Sequence, residues 1–263
     1  MDYFGKSAAQ EVVYPGDLAP GSRGLCVRRM QEWLSFSGFR TAVDGVFGDA
    51  SSAALAAFRA RNDIPTAQSL DEVTWNALVM PMAALVNPDI RIATKDQFSD
   101  TVLKIATLHL KARPIEIGGE NCGPWVRAYM SGHEGQSWPW CAGFVTAIAA
   151  QAGALLGLAS PIPRTYSCDS LAKDAQQANR FVRGASISAD SSRWASLGRC
   201  QIFLVRSTPN DWTHTGFAFN GKESVFETIE GNTNDNGSPE GFEVARRSRG
   251  SLSNKDFVWL DAR

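Results

Sequence analysis

The feature that most narrows what this chain can fold into is a single change of hydrophobic period. Up to about residue 180, apolar residues recur at helical spacing. Leu25, Val27, Met30, Trp33 and Leu34 form one such set; Val102, Leu103, Ile105, Ala106, Leu108 and Leu110 form another. From Arg199 onward the pattern becomes that of strands, over 199–205, 214–219, 224–230, 242–247 and 257–260. Asn220-Gly221 and Asn236-Gly237 are turn signals between them. Helices first and consecutive antiparallel strands afterwards predict an α+β architecture.

The 263 residues suffice for one large or two small domains. Hydrophobic residues at 44% can fill a core, and a net charge of −1 gives no electrostatic reason to expect nucleic acid as a partner. No apolar run reaches the roughly 18 residues of a membrane span, so no membrane insertion is expected. The start, Met1-Asp2-Tyr3-Phe4-Gly5-Lys6, has no basic region leading into an apolar one, and no signal peptide is read there. Cys26, Cys122, Cys141, Cys168 and Cys200 include no Cys-x-x-Cys pair, and without a signal peptide all five are expected reduced. His109, His133 and His214 are too few for a histidine-rich metal site, so neither metal nor organic cofactor is expected. A cysteine nucleophile needs only one histidine.

Read in order, residues 1–19 are a polar, irregular lead-in. Three short helices follow, the first ending at Gly38, the second at about 50–61 and the third at about 70–78. Trp33, Leu55, Phe58 and Trp75 are assigned to their core. Over 20–80 the chain resembles the three-helix peptidoglycan-binding domain of cell-wall hydrolases. The resemblance rests on Gly24, Val27, Met30-Gln31, Leu34, Gly38, Asp44-Gly45-Val46-Phe47-Gly48, the helix from Ala53 to Phe58, and Asp71-Glu72-Val73-Thr74-Trp75. It implies docking on glycan or stem peptide. Some relatives of that domain carry zinc; this one has no histidine and only Cys26, so none is expected. Residues 81–97, punctuated by Pro81 and Pro88, are read as a linker, and 98–263 as the second domain. There Asp100 is predicted to cap a helix that buries His109, and Pro124 to open the next.

Trp138-Pro139-Trp140-Cys141 leads straight into the apolar set Phe144, Val145, Ile148, Ala149 and Ala152, with Gly153 as a stop. Cys141 therefore belongs at the first turn of a buried helix, where unpaired N–H groups and the positive dipole end favour a thiolate. His214 opens one predicted strand and Glu230 closes the next. In an antiparallel hairpin these ends are neighbours, so Glu230 can accept the second imidazole N–H and fix the tautomer. Asn232 can orient the ring or face the substrate. The Cys141 N–H is a natural oxyanion donor, and Asn121 a second candidate. Trp140 and Trp212 either line the cleft or pack in the core. Cys26, Cys122, Cys168 and Cys200 lack a base and are read as structural.

Asn121-Cys122-Gly123-Pro124, Pro139-Trp140-Cys141-Ala142-Gly143-Phe144-Val145, His214-Thr215-Gly216 and Glu230-Gly231-Asn232-Thr233-Asn234 together resemble the CHAP family of cysteine, histidine-dependent amidohydrolases and peptidases. The resemblance implies a papain-like α+β fold with an antiparallel sheet. It implies Cys141 as nucleophile, His214 as base, Glu230 as its orienter and Asn232 as a polar fourth member. Relatives that bind calcium do so through several Asp residues before the cysteine. Gly118-Gly119-Glu120-Asn121 offers one carboxylate, so no calcium is expected. The implied substrate is bacterial peptidoglycan, cut at an amide of its peptide part by a monomer. With no signal peptide, the expected role is a phage endolysin made in the cytoplasm and released to the wall. An injected antibacterial toxin, a non-catalytic wall-binding protein and an acyl transferase are the alternatives.

Overall fold

A buried face too short to stand out in the sequence opens the fold. Phe4, Ser7, Ala8 and Glu11 recur at three- and four-residue spacing and are buried along α1 (Phe4–Val12). The protein is seen here as a computed structural model that describes residues 4–93, 97–234 and 241–262. The expected irregular lead-in is thus helical over much of its length. Its polar look is misleading because Glu11 is buried as an ion pair: Arg127 donates to it from Nε at 2.9 Å and from Nη2 at 2.8 Å.

α2 (Leu25–Phe36) and α3 (Asp49–Arg61) lie where the periodicity places them. Fully buried Gln31 ties the turn between them. Its Nε2 donates to Asp44 Oδ1 and Val46 O, and its Oε1 accepts the Asp44 and Gly45 N–H groups. Trp33, Leu55, Phe58 and Trp75 are core residues, as read. α4 (Glu72–Val86) is capped by Asp71, which accepts the Thr74 N–H at 2.9 Å. It runs through Pro81, past the predicted end near Leu78 and into the expected linker. The proline forfeits one backbone bond, yet Met82 and Leu85 remain buried and Gln151 Nε2 donates to Leu85 O at 2.6 Å.

In α5 (Phe98–Ala112) Asp100 is not the cap but sits three residues inside it, accepting the Gln97 backbone N–H at 3.0 Å. α6 (Pro124–Tyr129), α7 (Cys141–Leu156) and α8 (Cys168–Gln177) follow. α7 passes the predicted stop at Gly153 and ends at Gly157. At Gly153 a Cβ would stand 2.7 Å from Leu158 O, so the glycine serves chain packing rather than helix termination.

β1 (Phe181–Arg183), α9 (Gly184–Ala189) and α10 (Arg193–Ser196) are too short for periodicity to reveal. β2 (Cys200–Thr208), β3 (Asp211–Lys222), β4 (Val225–Thr233), β5 (Glu243–Arg249) and β6 (Lys255–Trp259) correspond to the five predicted strands. They form one antiparallel sheet in the order β1-β6-β2-β3-β4-β5, and the architecture is α+β. Asn220-Gly221 is not the hairpin turn. Lys222 pairs with Val225, and left-handed Asn220 (φ 51°) falls in a bulge just before. The Asn236-Gly237 turn lies outside the described residues.

A continuous run of aromatic contacts links the N-terminal helices to the sheet. Trp33 meets Trp125 at 6.3 Å, Trp125 meets Tyr129 at 6.3 Å, Tyr129 meets Phe144 at 5.1 Å and Phe144 meets Phe217 at 6.0 Å. Among the described residues, no helix is long and apolar enough to cross a membrane.

Candidate active site

α7 begins at Cys141, with Trp140 as its N-cap residue. Trp140 offers no side-chain cap, so the first-turn N–H groups stay available and the positive end of the helix faces the sulfur. The Trp140 indole stacks on Tyr129, with ring centroids 5.6 Å apart and planes 3° apart, and its Nε1 donates to Glu116 Oε1 at 2.8 Å. It is fully buried, so of the two readings the core one holds and Trp140 does not line the cleft. Trp212 is also packed, 7% exposed. Its Nε1 donates to Asp256 Oδ2 at 2.8 Å and its backbone N–H to Asp169 Oδ1 at 2.7 Å.

The sheet brings up the other half. β3 and β4 pair with Phe217 opposite Ile229 and Ala218 opposite Thr228. Continuing that register sets Gly216 opposite Glu230, with His214 two residues further along the same face. The Glu230 side chain crosses Gly216 to reach the imidazole, and His214 Nε2 lies 2.8 Å from Glu230 Oε2. A Cβ on residue 216 would stand 2.8 Å from Glu230 Cγ and 2.7 Å from the Phe203 ring. The glycine of His214-Thr215-Gly216 is thus what lets the carboxylate reach its histidine.

Glu230 is fully buried and fully partnered. Arg249 donates from Nε to Oε1 at 2.6 Å and from Nη2 to Oε2, and Thr228 Oγ1 donates to Oε1 at 2.5 Å. Burial pushes the Glu230 carboxyl up, but Arg249 and His214 overcome it and hold the group at about 2. Burial likewise disfavours a charged His214. Its bonds to Cys141 and Glu230 outweigh that and raise it to about 9. The Cys141 thiol is lowered well below its ordinary range. The hydrogen bond from Cys168 is the largest cause; burial opposes it, and His214 and the Ala142 N–H act in the same direction as Cys168. These shifts favour a thiolate beside an imidazolium, and Nδ1 of His214 is buried with no partner at hydrogen-bonding geometry among the described residues.

Asn232 is buried and left-handed (φ 56°), in a β-bulge where the β4–β5 register shifts between Glu230 and Thr233. Asn121, also left-handed (φ 51°), lines with it a cavity of about 290 Å³ that Glu116, Glu120, Gly241 and Phe242 complete. The structure therefore unites Cys141, His214 and Glu230, sets Asn232 and Asn121 together on a cavity that none of those three lines, and withdraws Trp140 and Trp212 into the core.

His109 stays a packing residue. It is hydrogen-bonded to Tyr129 Oη at 2.8 Å and Gln151 Oε1 at 3.2 Å, and burial lowers it to about 4. All five cysteines are unbridged. Among the described residues, no group of three or more His, Cys, Asp or Glu is placed to hold a metal ion.

Two members of the cluster are not site residues in the sequence reading: Arg249 is not singled out, and Cys168 is read as structural. Arg249 could have been sought on charge grounds, since a buried Glu230 needs a countercharge and β5 carries three arginines. Cys168, whose sulfur lies 3.7 Å from that of Cys141, carries no sequence signal beyond being a cysteine that opens a helix.

No protein-family model and no curated protein matches the chain. A solved structure, "The crystal structure of SleB N-terminal domain", is similar to it over 26% of this chain and 96% of its own. The identity is 30% and the TM-score 0.25.

Proposed function

We propose that the protein is a cysteine-dependent peptidoglycan hydrolase of the CHAP type, with a papain-like catalytic unit that cuts an amide bond in the peptide part of the wall. The observation that carries the chemistry is the buried relay Cys141–His214–Glu230, with its 2.8 Å imidazole–carboxylate bond and its thiol at a helix start. The choice of substrate rests on the sequence motifs of 98–263 and on the peptidoglycan-binding resemblance of 20–80.

The Cys141 thiolate attacks the scissile carbonyl. The backbone N–H of Cys141, unpaired at the helix start, stabilises the oxyanion. His214, already an imidazolium, gives its proton to the departing amine, leaving a thioester on Cys141. Neutral His214 then takes a proton from water, which attacks the thioester and frees the acid. Glu230 keeps the ring oriented throughout and does not react. In this reading Asn121 and Asn232, which share a cavity, are the candidates to hold polar parts of the peptide.

Digestion of purified peptidoglycan by wild type and by Cys141→Ala, with mass spectrometry of the fragments, tests this reading. New free amino and carboxyl termini should appear with wild type only. Equal digestion by Cys141→Ala would overturn it.

A further inference from the structure

Cys141 is not the only sulfur in the site. Cys168 is the first residue of α8, as Cys141 is of α7, and the two helix starts bring the sulfurs to 3.7 Å. Among the described residues no other pair of cysteine sulfurs lies within hydrogen-bonding distance. Cys26 is exposed on α2, Cys200 is fully buried on β2, and Cys122 donates to the Glu120 carbonyl at 3.2 Å. A disulfide bond is about 2.0 Å long, so closure asks for a small approach of two helix first turns. The segment between the helices, 157–167, is non-helical. Cys141 is 4% exposed and Cys168 8%, so neither residue is wholly sealed from solvent.

We propose that Cys141 and Cys168 are a redox modification site: peroxide oxidises Cys141, and Cys168 resolves the product to a reversible disulfide that shuts off hydrolysis. The proposal rests on the reading of Cys141 as a nucleophilic thiolate. In the first step the Cys141 sulfur attacks one peroxide oxygen, the O–O bond breaks and hydroxide leaves, giving a sulfenic acid. In the second the Cys168 sulfur attacks the Cys141 sulfur. The S–O bond breaks, and the departing hydroxide takes the Cys168 proton as water. Each sulfur loses one electron; the first hydroxide takes a proton from the His214 imidazolium and the second takes the Cys168 proton, so one peroxide becomes two waters. An external dithiol reverses the change by exchange.

The arrangement suits these roles. At 3.7 Å one sulfur can donate to the other, and with Cys141 lowered and Cys168 raised the proton belongs on Cys168, beside a Cys141 thiolate. Asp169 and Asp211 lie close enough to Cys168 to disfavour a second negative charge. The thiolate is the one that meets peroxide, and the neutral thiol remains beside it to resolve the sulfenic acid before it is oxidised further.

The test uses the full-length reduced protein. It is treated with hydrogen peroxide, quenched with catalase, unfolded in N-ethylmaleimide and digested for mass spectrometry. The expected product is a cross-linked peptide pair containing Cys141 and Cys168, short of two hydrogen masses, that disappears with dithiothreitol. Peptidoglycan hydrolysis should be lost and regained in step with it. In Cys168→Ser, measured against its own untreated sample, peroxide should carry Cys141 to sulfinic acid, and dithiothreitol should restore nothing. Cys168 found fully alkylated while Cys141 carries oxygen, or a bridge mapped to another cysteine, would overturn the proposal. A cross-link in a protein whose Cys141→Ala variant still digests peptidoglycan would sink the hydrolase reading and leave the redox pair standing. Hydrolysis by wild type with no cross-link would do the reverse.

Discussion

Arg127 and Arg249 each neutralise carboxylates that have left water, and their surroundings diverge from there. Around Arg127 stand Glu11 of α1, Glu32 of α2 and Glu134 of the loop after α6, at 2.8, 2.6 and 2.7 Å. Glu134 also accepts the Gly123 N–H at 2.9 Å, so this cluster closes on itself and pins three chain segments to α6. Around Arg249 stands Glu230, which passes the interaction on to His214 and so to Cys141. The second cluster ends in two groups that can exchange a proton, one of them the proposed nucleophile. Both clusters bear the cost of desolvating charge. The difference teaches that a buried ion pair alone does not mark an active site; what marks one is a chain of partners that ends in a reactive atom.

The sharpest way to break that comparison is to damage each cluster in turn. His214→Ala should cut peptidoglycan hydrolysis roughly a thousandfold, the scale of losing a general acid–base group, with the fold retained by circular dichroism. Arg127→Leu should do the opposite. It removes the buried partner of Glu11 and Glu32 and leaves them only the half-buried Arg29 at 3.6 Å and Arg28 at 3.1 Å, so the loss approaches the roughly 3–5 kcal/mol of breaking a buried pair. Urea unfolding should show that loss, while activity per folded molecule stays near wild type. If folded Arg127→Leu is as inactive as His214→Ala, the two clusters are one functional unit and the distinction fails.

A smaller effect separates reach from charge within the catalytic cluster. Gly216→Ala removes no charge, but its Cβ would stand 2.8 Å from Glu230 Cγ and 2.7 Å from the Phe203 ring. The Glu230 side chain must then shift off His214. Misplacement on that scale costs roughly tenfold to a hundredfold in rate. The alkaline limb of the pH–rate profile, set by His214 at about 9, should also move toward neutral. Unchanged hydrolysis by Gly216→Ala would mean that Glu230 does not act by orienting the imidazole.

How much of this was legible in the sequence differs between the legs of the site. The order of helices before strands, the helix start at Cys141 and the placing of His214 and Glu230 on neighbouring strands could be read, because hydrophobic period and antiparallel geometry are local rules; the strand ends could not, since β3 begins three residues before His214 and β4 runs three past Glu230. Helix α1 was missed because Glu11 looks solvated until Arg127, 116 residues away, is brought to it. The continuation of α4 past Pro81 was missed because burial of Met82 and Leu85 outweighs a local breaker. Cys168 and Arg249 reach the site only through tertiary packing, and no spacing rule connects them to Cys141 or Glu230. Trp140 is open between cleft and core on sequence alone, and packing on Tyr129 makes it core.

The mildest perturbation, Arg249→Gln, tests whether charge or shape holds the relay. Glutamine can still donate to Glu230, so the carboxylate keeps a partner and loses only the cation. Glu230 is held at about 2 in the folded protein, below its ordinary range, against the upward push of burial. Its contribution to stability is therefore complete above that ordinary range and is lost as pH falls through about 2. Without Arg249 the carboxyl rises, so acid unfolding and the acid limb of activity should both begin at higher pH. His214 is shifted the other way: its contribution is complete below its ordinary value and lost as pH rises through about 9. Cys141 and Glu230 raise it, and both remain in the variant, so the alkaline limb should hold its place. A uniform drop in rate at every pH, with both limbs unmoved, would assign Arg249 to packing over the Phe203 ring, which it covers at 5.3 Å. A shift confined to the acid side would assign it to the charge that keeps Glu230 ionised.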